Sequence, residues 1–183
     1  MTWEDENLIC LLKTGGVAVM PTDTLYGIVG RANNVSIVER IYAIRKRNPK
    51  KPCIILIGDI NELEKFSVDI TLARTVLASV GGKPTSFVLD CVDEKFKYLH
   101  RGTKTLAFRI PAQESLQKLL KETGPLIAPS ANPEGLEPAK NIAEAKKYFG
   151  GEVDLYIDGG EIKGKASKVI KLHKDGAIEI LRQ

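Results

Sequence analysis

The stretch from Val17 to Gly30 restricts the fold more than any other part of the sequence. Its first four residues, Val17–Met20, are apolar and typical of a short buried strand, and Pro21 ends the regular ladder because it has no N–H to donate. Two threonines and an aspartate follow before apolar residues resume at Ile28. Such polar side chains after a buried strand favour the ligand-binding edge of an open α/β sheet. A tight polar turn between two core segments explains the stretch equally well.

The remaining apolar residues follow two spacings that alternate along the chain. Helical spacing predicts about five helices, over residues 2–14, 36–44, 69–80, 116–123 and 141–149. Thr2, Ser36 and Asn141 are the expected N-caps. Short apolar or alternating runs predict about eight strands, over 17–20, 53–57, 85–92, 105–110, 126–128, 153–157, 168–172 and 177–181. The chain is therefore expected to be an α/β domain whose sheet is mixed, because Asp175-Gly176 is typical of an antiparallel hairpin.

Length and composition are those of a single globular domain over residues 1–183. The net charge of +4 suits an anionic ligand such as a nucleotide or a nucleic acid. The cysteines (Cys10, Cys53 and Cys91) form no zinc motif, so we expect no metal site and buried free thiols in a reducing cytoplasm. No signal peptide or membrane span is expected, since no apolar run approaches roughly 18 residues. The expected location is the cytoplasm.

A dense group of cations follows the second predicted helix. The seven residues Arg45–Lys51 include five cations, and Pro49 and Pro52 break the loop that carries them. Cations near a helix C-terminus are stabilised by the helix dipole, by about 0.3–1 kcal/mol each, but two or three would satisfy that role. Because the group continues through a loop anchored before the strand at Cys53, we favour a polyphosphate-binding loop.

Single polar residues near predicted strand ends are further candidates. Arg109 either lies at the boundary of the core with its aliphatic stem buried, or directs its guanidinium at a carboxylate. Asp23 could take a proton from an ammonium group, hold a cation or stabilise its own turn. The two histidines, His100 and His173, lie among polar residues and are expected at the surface. A second strand leads into a polar turn at Pro129–Pro133.

Four motifs in this order resemble a known family. They are P-T-D-T-L-Y-G (21–27), the basic loop before C-I-I-L-I (45–57), F-R-I-P (108–111) and P-S-A-N (129–132). Each motif is weak alone, but together the chain resembles the threonylcarbamoyl-AMP synthase (YrdC-like) family in its short single-domain form, over essentially its entire length. The resemblance implies a twisted mixed α/β sheet with packed helices and a basic concave face.

The resemblance also implies an activity. Members form threonylcarbamoyl-AMP and pyrophosphate from L-threonine, bicarbonate and ATP, with Mg²⁺ accompanying the phosphates. The product serves threonylcarbamoyladenosine modification of tRNA, through a downstream enzyme that transfers the threonylcarbamoyl group. No covalent nucleophile with its base is recognisable, so no residue is assigned as acid, base or nucleophile. The basic face leaves room for weak RNA binding.

The resemblance implies two sets of binding residues. Threonine would be held by Thr24, Arg109, Ala128 and Ser167. ATP would be held by Arg47, Lys51, Thr105, Ser130, Asn132 and Arg182. Several positions depart from the family's pattern and bear on substrate choice and ATP contacts: Arg45, Lys83, Pro133-Glu134 where a serine is expected, Pro138, Lys168 and Lys171.

Two other functions remain open on the sequence. One is an RNA-binding module without catalysis, although aromatic residues make up only 6% of the chain and do not interleave with the basic loop as stacking platforms would. The other is a nucleotide-binding paralogue with an altered substrate, which the departures support. Retention of Thr24, Ser130 and Asn132 favours the synthase.

Overall fold

In the computed structural model, which describes residues 2–71, 73, 74 and 84–183, nine strands form one mixed sheet. The strand order is β7-β1-β2-β6-β3-β5-β4-β8-β9. The strands are β1 Ala18–Pro21, β2 Tyr26–Arg31, β3 Ile54–Leu56, β4 Thr85–Asp90, β5 Thr105–Arg109, β6 Leu126–Ile127, β7 Leu155–Tyr156, β8 Lys168–Leu172 and β9 Ile178–Arg182. The mixed α/β sheet expected from the sequence is confirmed.

Helices flank the sheet on both faces. The helices within the described ranges are α1 Glu6–Thr14, α2 Val35–Ile44, α3 Lys97–His100, α4 Glu114–Thr123 and α5 Ile142–Phe149. Short 3₁₀ turns occupy Thr2–Glu4, Ile60–Phe66, Glu94–Phe96 and Gly150–Glu152. The helix predicted from Asp69 is helical at 70, 71, 73 and 74, and the Asp69 carboxylate accepts from Thr71 N at 2.9 Å; residues 72 and 75–80 of that prediction, with Lys83, lie outside the described residues.

Two of the predicted N-caps are wrong by a few residues. The Asp5 carboxylate caps α1 by accepting hydrogen bonds from Asn7 N and Leu8 N, because Thr2 belongs to a separate 3₁₀ turn. Similarly, Asn34 rather than Ser36 caps α2. The Asn141 cap of α5 is confirmed, since its side chain accepts from Glu144 N at 2.9 Å.

The antiparallel hairpin of β1 and β2 contains the first motif. Pro21 pairs with Tyr26, so β2 begins two residues before the apolar run at Ile28. The loop of four residues between them is closed by Thr22 N donating to Leu25 O at 2.9 Å. The stretch is therefore a tight polar turn, and its position on the sheet decides whether it is also a binding edge.

The two sheet faces carry separate apolar cores. Helices α2 and α5 pack on one face with Phe87 and Phe108, and α1 and α4 pack on the other with Leu56 and Leu126. On that second face Leu56 lies under α4, whereas Ile54, which points the same way two residues earlier, lines an open cavity. Among the described residues, helical cover of this face is incomplete over β5, β4 and β8, and the candidate site lies there.

Several surface expectations need revision. His100 is 1% exposed and accepts a hydrogen bond from Gly102 N through Nδ1, so the prediction of a surface histidine is wrong for it, because α3 turns it inward. Cys53 and Cys91 are buried free thiols, whereas Cys10 is exposed on α1. None of the helices in the described ranges is long and apolar enough to span a membrane.

Candidate active site

The uncovered sheet face forms an open cavity of about 600 Å³. Its floor comes from strands β3, β4, β5 and β8, and its walls come from the two polar turns and the end of β9. Every site residue expected from the family resemblance except Lys51 lines it: Thr24, Arg47, Thr105, Arg109, Ala128, Ser130, Asn132, Ser167 and Arg182. The fold therefore brings these residues together, although their roles stay predictions.

The first wall of the cavity is the turn between β1 and β2. The Thr22 hydroxyl donates to Leu25 O at 2.7 Å and lies 3.2 Å from the Thr24 hydroxyl. Both threonines are buried, yet both line the cavity. The turn is thus held by Thr22. Because Thr22 donates its only hydroxyl proton to Leu25 O, Thr24 is the donor in the contact between the two hydroxyls, and its oxygen keeps acceptor lone pairs for a small ligand.

A buried ion pair lies directly beside this turn. Arg109 Nη2 is 2.8 Å from Asp23 Oδ1, and the two side chains are only 4% and 3% exposed. Burial lowers the pKa of the Arg109 guanidinium, and the Asp23 carboxylate opposes that shift. Arg109 Nε is buried and has no hydrogen-bond partner among the described residues. Asp23 therefore orients the guanidinium, whose Nε is left without a partner in the described part of the chain.

A buried arginine supports the second polar turn. Arg45 Nε donates to Asn132 O at 2.9 Å, and its Nη2 donates to Asn132 Oδ1 at 3.2 Å and Ser130 Oγ at 3.3 Å. Burial lowers the pKa of Arg45 to about 10, so the side chain is still a cation at neutral pH. Arg45 is 2% exposed and positions the turn from beneath, which differs from the expectation that the whole basic group forms a ligand-binding loop.

The rest of the basic loop divides between the cavity and its surroundings. Arg47 lines the cavity while its guanidinium donates to Lys51 O and Pro52 O at 3.2 and 2.8 Å. Lys51 is not among the lining residues, and its Nζ lies 2.7 Å from Glu134 Oε1. The structure therefore does not place Lys51 with the other predicted ATP-binding residues, because a carboxylate holds it outside the cavity.

The opposite wall joins β9 to the start of β8. Arg182 donates to Ser167 O through Nε at 3.0 Å and Nη2 at 2.8 Å. The Ser167 hydroxyl lies 2.9 Å from that of Ser86 and is almost fully buried. Burial lowers the pKa of Arg182. This wall thus offers a hydroxyl and a guanidinium that are already ordered.

The segment 158–167, here called the crossing loop, passes over the first turn and ends at Ser167. The buried Tyr26 hydroxyl donates to Gly160 O and accepts from Gly159 N, both at 2.8 Å. A Cβ at Gly164 would lie 1.8 Å from Thr24 O, so only glycine allows this approach. Sequence reasoning missed these contacts, although the glycines at 159, 160 and 164 were a usable signal of close backbone packing.

The cavity's charge and chemistry fit an anionic ligand. The charged side chains lining the described part of the cavity are the arginines Arg47, Arg109 and Arg182. Hydroxyl and amide groups lie between them, and no histidine or cysteine–histidine pair is present among those lining residues. Arginines bind carboxylates and phosphates through a planar fork, so this donor set can hold and orient two anionic reactants.

Comparisons with known proteins match the chain over most of its length. The Sua5/YciO/YrdC family model, described as telomere recombination, matches residues 10–183. The threonylcarbamoyl-AMP synthase of Halorhodospira halophila is 29% identical over 81% of this chain and 78% of its own length. That of Idiomarina loihiensis is 30% identical over 86% of this chain and 85% of its own length.

Solved structures of related proteins also superpose on nearly the whole chain. Sua5 of Pyrococcus abyssi complexed with L-threonine superposes with a TM-score of 0.85 at 29% identity, covering 100% of this chain and 54% of Sua5. YciO of Escherichia coli superposes with a TM-score of 0.82 at 27% identity, covering 97% of this chain and 87% of YciO. This chain therefore spans about half the length of Sua5 and most of YciO. With the family model matched from residue 10 to residue 183, the chain belongs to the Sua5/YciO/YrdC family.

Proposed function

We propose that this chain is an L-threonylcarbamoyl-AMP synthase, a nucleotidyltransferase that uses L-threonine, bicarbonate and ATP. The observation that carries the proposal is the cavity in which three arginines surround hydroxyl and amide groups. The names of the relatives and the threonine complex of Pyrococcus abyssi Sua5 support it. The product would pass to the enzyme that transfers the threonylcarbamoyl group to tRNA.

The proposed reaction places an anionic nucleophile against an anionic phosphate. The threonine amine joins the bicarbonate carbon as a carbamate with loss of water. A carbamate oxygen then attacks the α-phosphorus of ATP, and the bond from that phosphorus to the bridging oxygen breaks as pyrophosphate leaves. Such a transfer depends on cations and on in-line positioning more than on a protein nucleophile, which agrees with the donor set of the cavity.

Threonine fits the wall formed by the first turn and the crossing loop. Its carboxylate would accept from Arg109, whose Nε is an unused buried donor. Its side chain would lie against Thr24, with Ser167 nearby and Ala128 on the floor. Because Asp23 already neutralises much of the Arg109 charge, the site would bind a carboxylate by hydrogen-bond geometry as well as by charge.

ATP fits the remaining wall, where Arg47, Thr105, Ser130, Asn132 and Arg182 lie. Mg²⁺ would be bound to the ATP phosphates when ATP enters the cavity, because phosphate oxygens and water are its usual ligands. Within the described ranges no group of three or more histidine, cysteine or acidic residues could hold a metal ion, so no side chain is assigned to it. Lys51 would contribute to ATP binding only after leaving Glu134.

A nucleotide-binding paralogue is the second candidate. The observation that favours it is the engagement of Lys51 by Glu134, at a position where the resemblance predicts a serine. Such a protein would bind ATP in the same cavity but join a different acceptor to the adenylyl group.

Pyrophosphate release separates the two candidates. With ATP, Mg²⁺ and bicarbonate, the synthase releases pyrophosphate when threonine is added and not when alanine replaces it. A panel of other amino acids serves as the comparison. The synthase assignment fails if threonine gives no release above the no-amino-acid background.

A further inference from the structure

Glu134 joins the second polar turn to the basic loop. Its Oε1 lies 2.7 Å from Lys51 Nζ, its Oε2 accepts the backbone N–H of Asn48, and its own N–H donates to Arg45 O at 2.8 Å. Its pKa is lowered first by Lys51 and next by the Asn48 N–H, so the carboxylate is ionised at neutral pH. One acidic side chain thus engages a cation and a backbone donor of the loop that follows α2.

The groups that Glu134 engages are those a phosphate would use. An ammonium and a turn N–H, next to the guanidinium of Arg47, form a donor set typical of phosphate-binding loops. Arg47 lines the cavity, whereas Lys51 points to Glu134 and does not line it. The carboxylate therefore occupies donors beside the cavity that a bound polyphosphate could otherwise reach.

We propose that Glu134 is an affinity-determining residue for the nucleotide, because its carboxylate competes with the polyphosphate for Lys51. The pair is partly open to water, with 61% of the Lys51 side chain and 26% of the Glu134 side chain exposed. Exposed ion pairs are weak, so bound phosphates displace the carboxylate and Lys51 turns to the ligand. This inference rests on the proposed function for the identity of the nucleotide, but it requires only that the loop bind a polyphosphate.

A purely structural role for Glu134 predicts the opposite change in ligand affinity when the carboxylate is neutralised. If the carboxylate served to hold the loop in a binding-competent shape, its neutralisation would loosen the loop and weaken ligand binding. If it competes with the ligand, its neutralisation strengthens binding. The direction of the change therefore separates the two roles.

Calorimetric titration of the full chain with inorganic tripolyphosphate, and separately with ATP, measures this direction. Glu134→Gln keeps the side-chain shape and is expected to lower the Kd for both ligands by about threefold or more, as expected for removal of an exposed competing charge. Glu137→Gln is the matched control, since it changes the net charge equally on the same loop and Glu137 makes no ion pair within the described part of the chain. Its Kd is expected to equal that of the wild type.

Lys51→Gln completes a double-mutant cycle. The gain from Glu134→Gln is expected to disappear when Lys51→Gln is also present, because the glutamine amide oxygen can still accept the Asn48 N–H and only the ion pair with Lys51 is lost. An unchanged or higher Kd for Glu134→Gln, a gain that persists without Lys51, or no tripolyphosphate binding by any variant would overturn the inference. These titrations need no turnover, so an absence of pyrophosphate release would count against the proposed function alone.

Discussion

Among individual residues, Arg109 and Asp23 carry the most specific information about the site. A buried ion pair is weak evidence for stability, because desolvating two charges offsets much of their attraction. Here the pair is almost fully buried at the cavity wall, and Arg109 Nε has no hydrogen-bond partner within the described ranges. The arrangement is better explained by orientation of the guanidinium toward a ligand than by stabilisation of the fold.

Replacement of Arg109 by lysine tests this role. Arg109→Lys keeps a cation opposite Asp23 but removes the fork, so the KM for threonine is expected to rise about tenfold or more from the loss of a charge-assisted hydrogen bond. Steady-state kinetics with threonine as the varied substrate measure the effect. The KM for ATP is expected to change less than about twofold. An unchanged KM for threonine would show that another residue holds its carboxylate.

At the level of elements, the crossing loop and the β1–β2 hairpin act as one unit. The Tyr26 hydroxyl makes two hydrogen bonds to the loop, and Gly164 lies directly against the turn that carries Thr24. The loop ends at Ser167, which Arg182 of β9 holds in turn. The loop therefore links the two walls of the proposed threonine site.

Replacement of Tyr26 by phenylalanine tests this coupling. Tyr26→Phe leaves Gly159 N and Gly160 O without their partner, and the KM for threonine is expected to rise about fivefold while the KM for ATP stays nearly constant. Tyr98→Phe is the control. The Tyr98 hydroxyl also donates to a backbone carbonyl, Ala32 O at 3.0 Å, but Tyr98 does not line the cavity. Equal effects of the two variants, or a parallel rise in both KM values for Tyr26→Phe, would contradict the coupling.

A second contact between elements determines stability rather than binding. The Asp154 carboxylate receives two hydrogen bonds from Arg40 on α2, at 2.6 and 2.9 Å, and one from Val17 N at 2.8 Å. Arg40 is the main cause of a lowered pKa for Asp154. These contacts tie α2 to the segments that precede β1 and β7.

The free energy of unfolding is expected to depend on pH through Asp154. Because its folded-state pKa is depressed, the carboxylate stabilises the fold above its ordinary pKa of about 3.9, and this contribution disappears as the pH falls through the lower folded-state value. Asp154→Asn is expected to lower the free energy of unfolding by about 1 kcal/mol near neutral pH. Urea unfolding of the wild type and of Asp154→Asn should then give free energies of unfolding that become equal at acidic pH. Glu122→Gln, at the exposed pair with Lys13, is the control with no expected effect. A difference independent of pH would contradict the linkage.

Across the whole molecule, the parts predictable from the sequence were those governed by local patterns. Apolar spacing gave the alternation of helices and strands, and the order of the motifs gave the family. The Asp23–Arg109 pair, the burial of Arg45 and the engagement of Lys51 by Glu134 were not predictable, because each joins residues that are distant in the chain. His100 shows the same limit, since polar neighbours in the sequence do not reveal which way a short helix turns its side chains.

In the proposed function, one cavity joins a carbamate of threonine to the adenylyl group of ATP. Mass spectrometry of the product formed from ATP, threonine and ¹³C-labelled bicarbonate with Mg²⁺ tests it most directly. The expected product is an adduct that contains AMP, threonine and one labelled carbon, formed together with pyrophosphate. Formation of an adenylate without the labelled carbon, or of no threonine adduct at all, would contradict it.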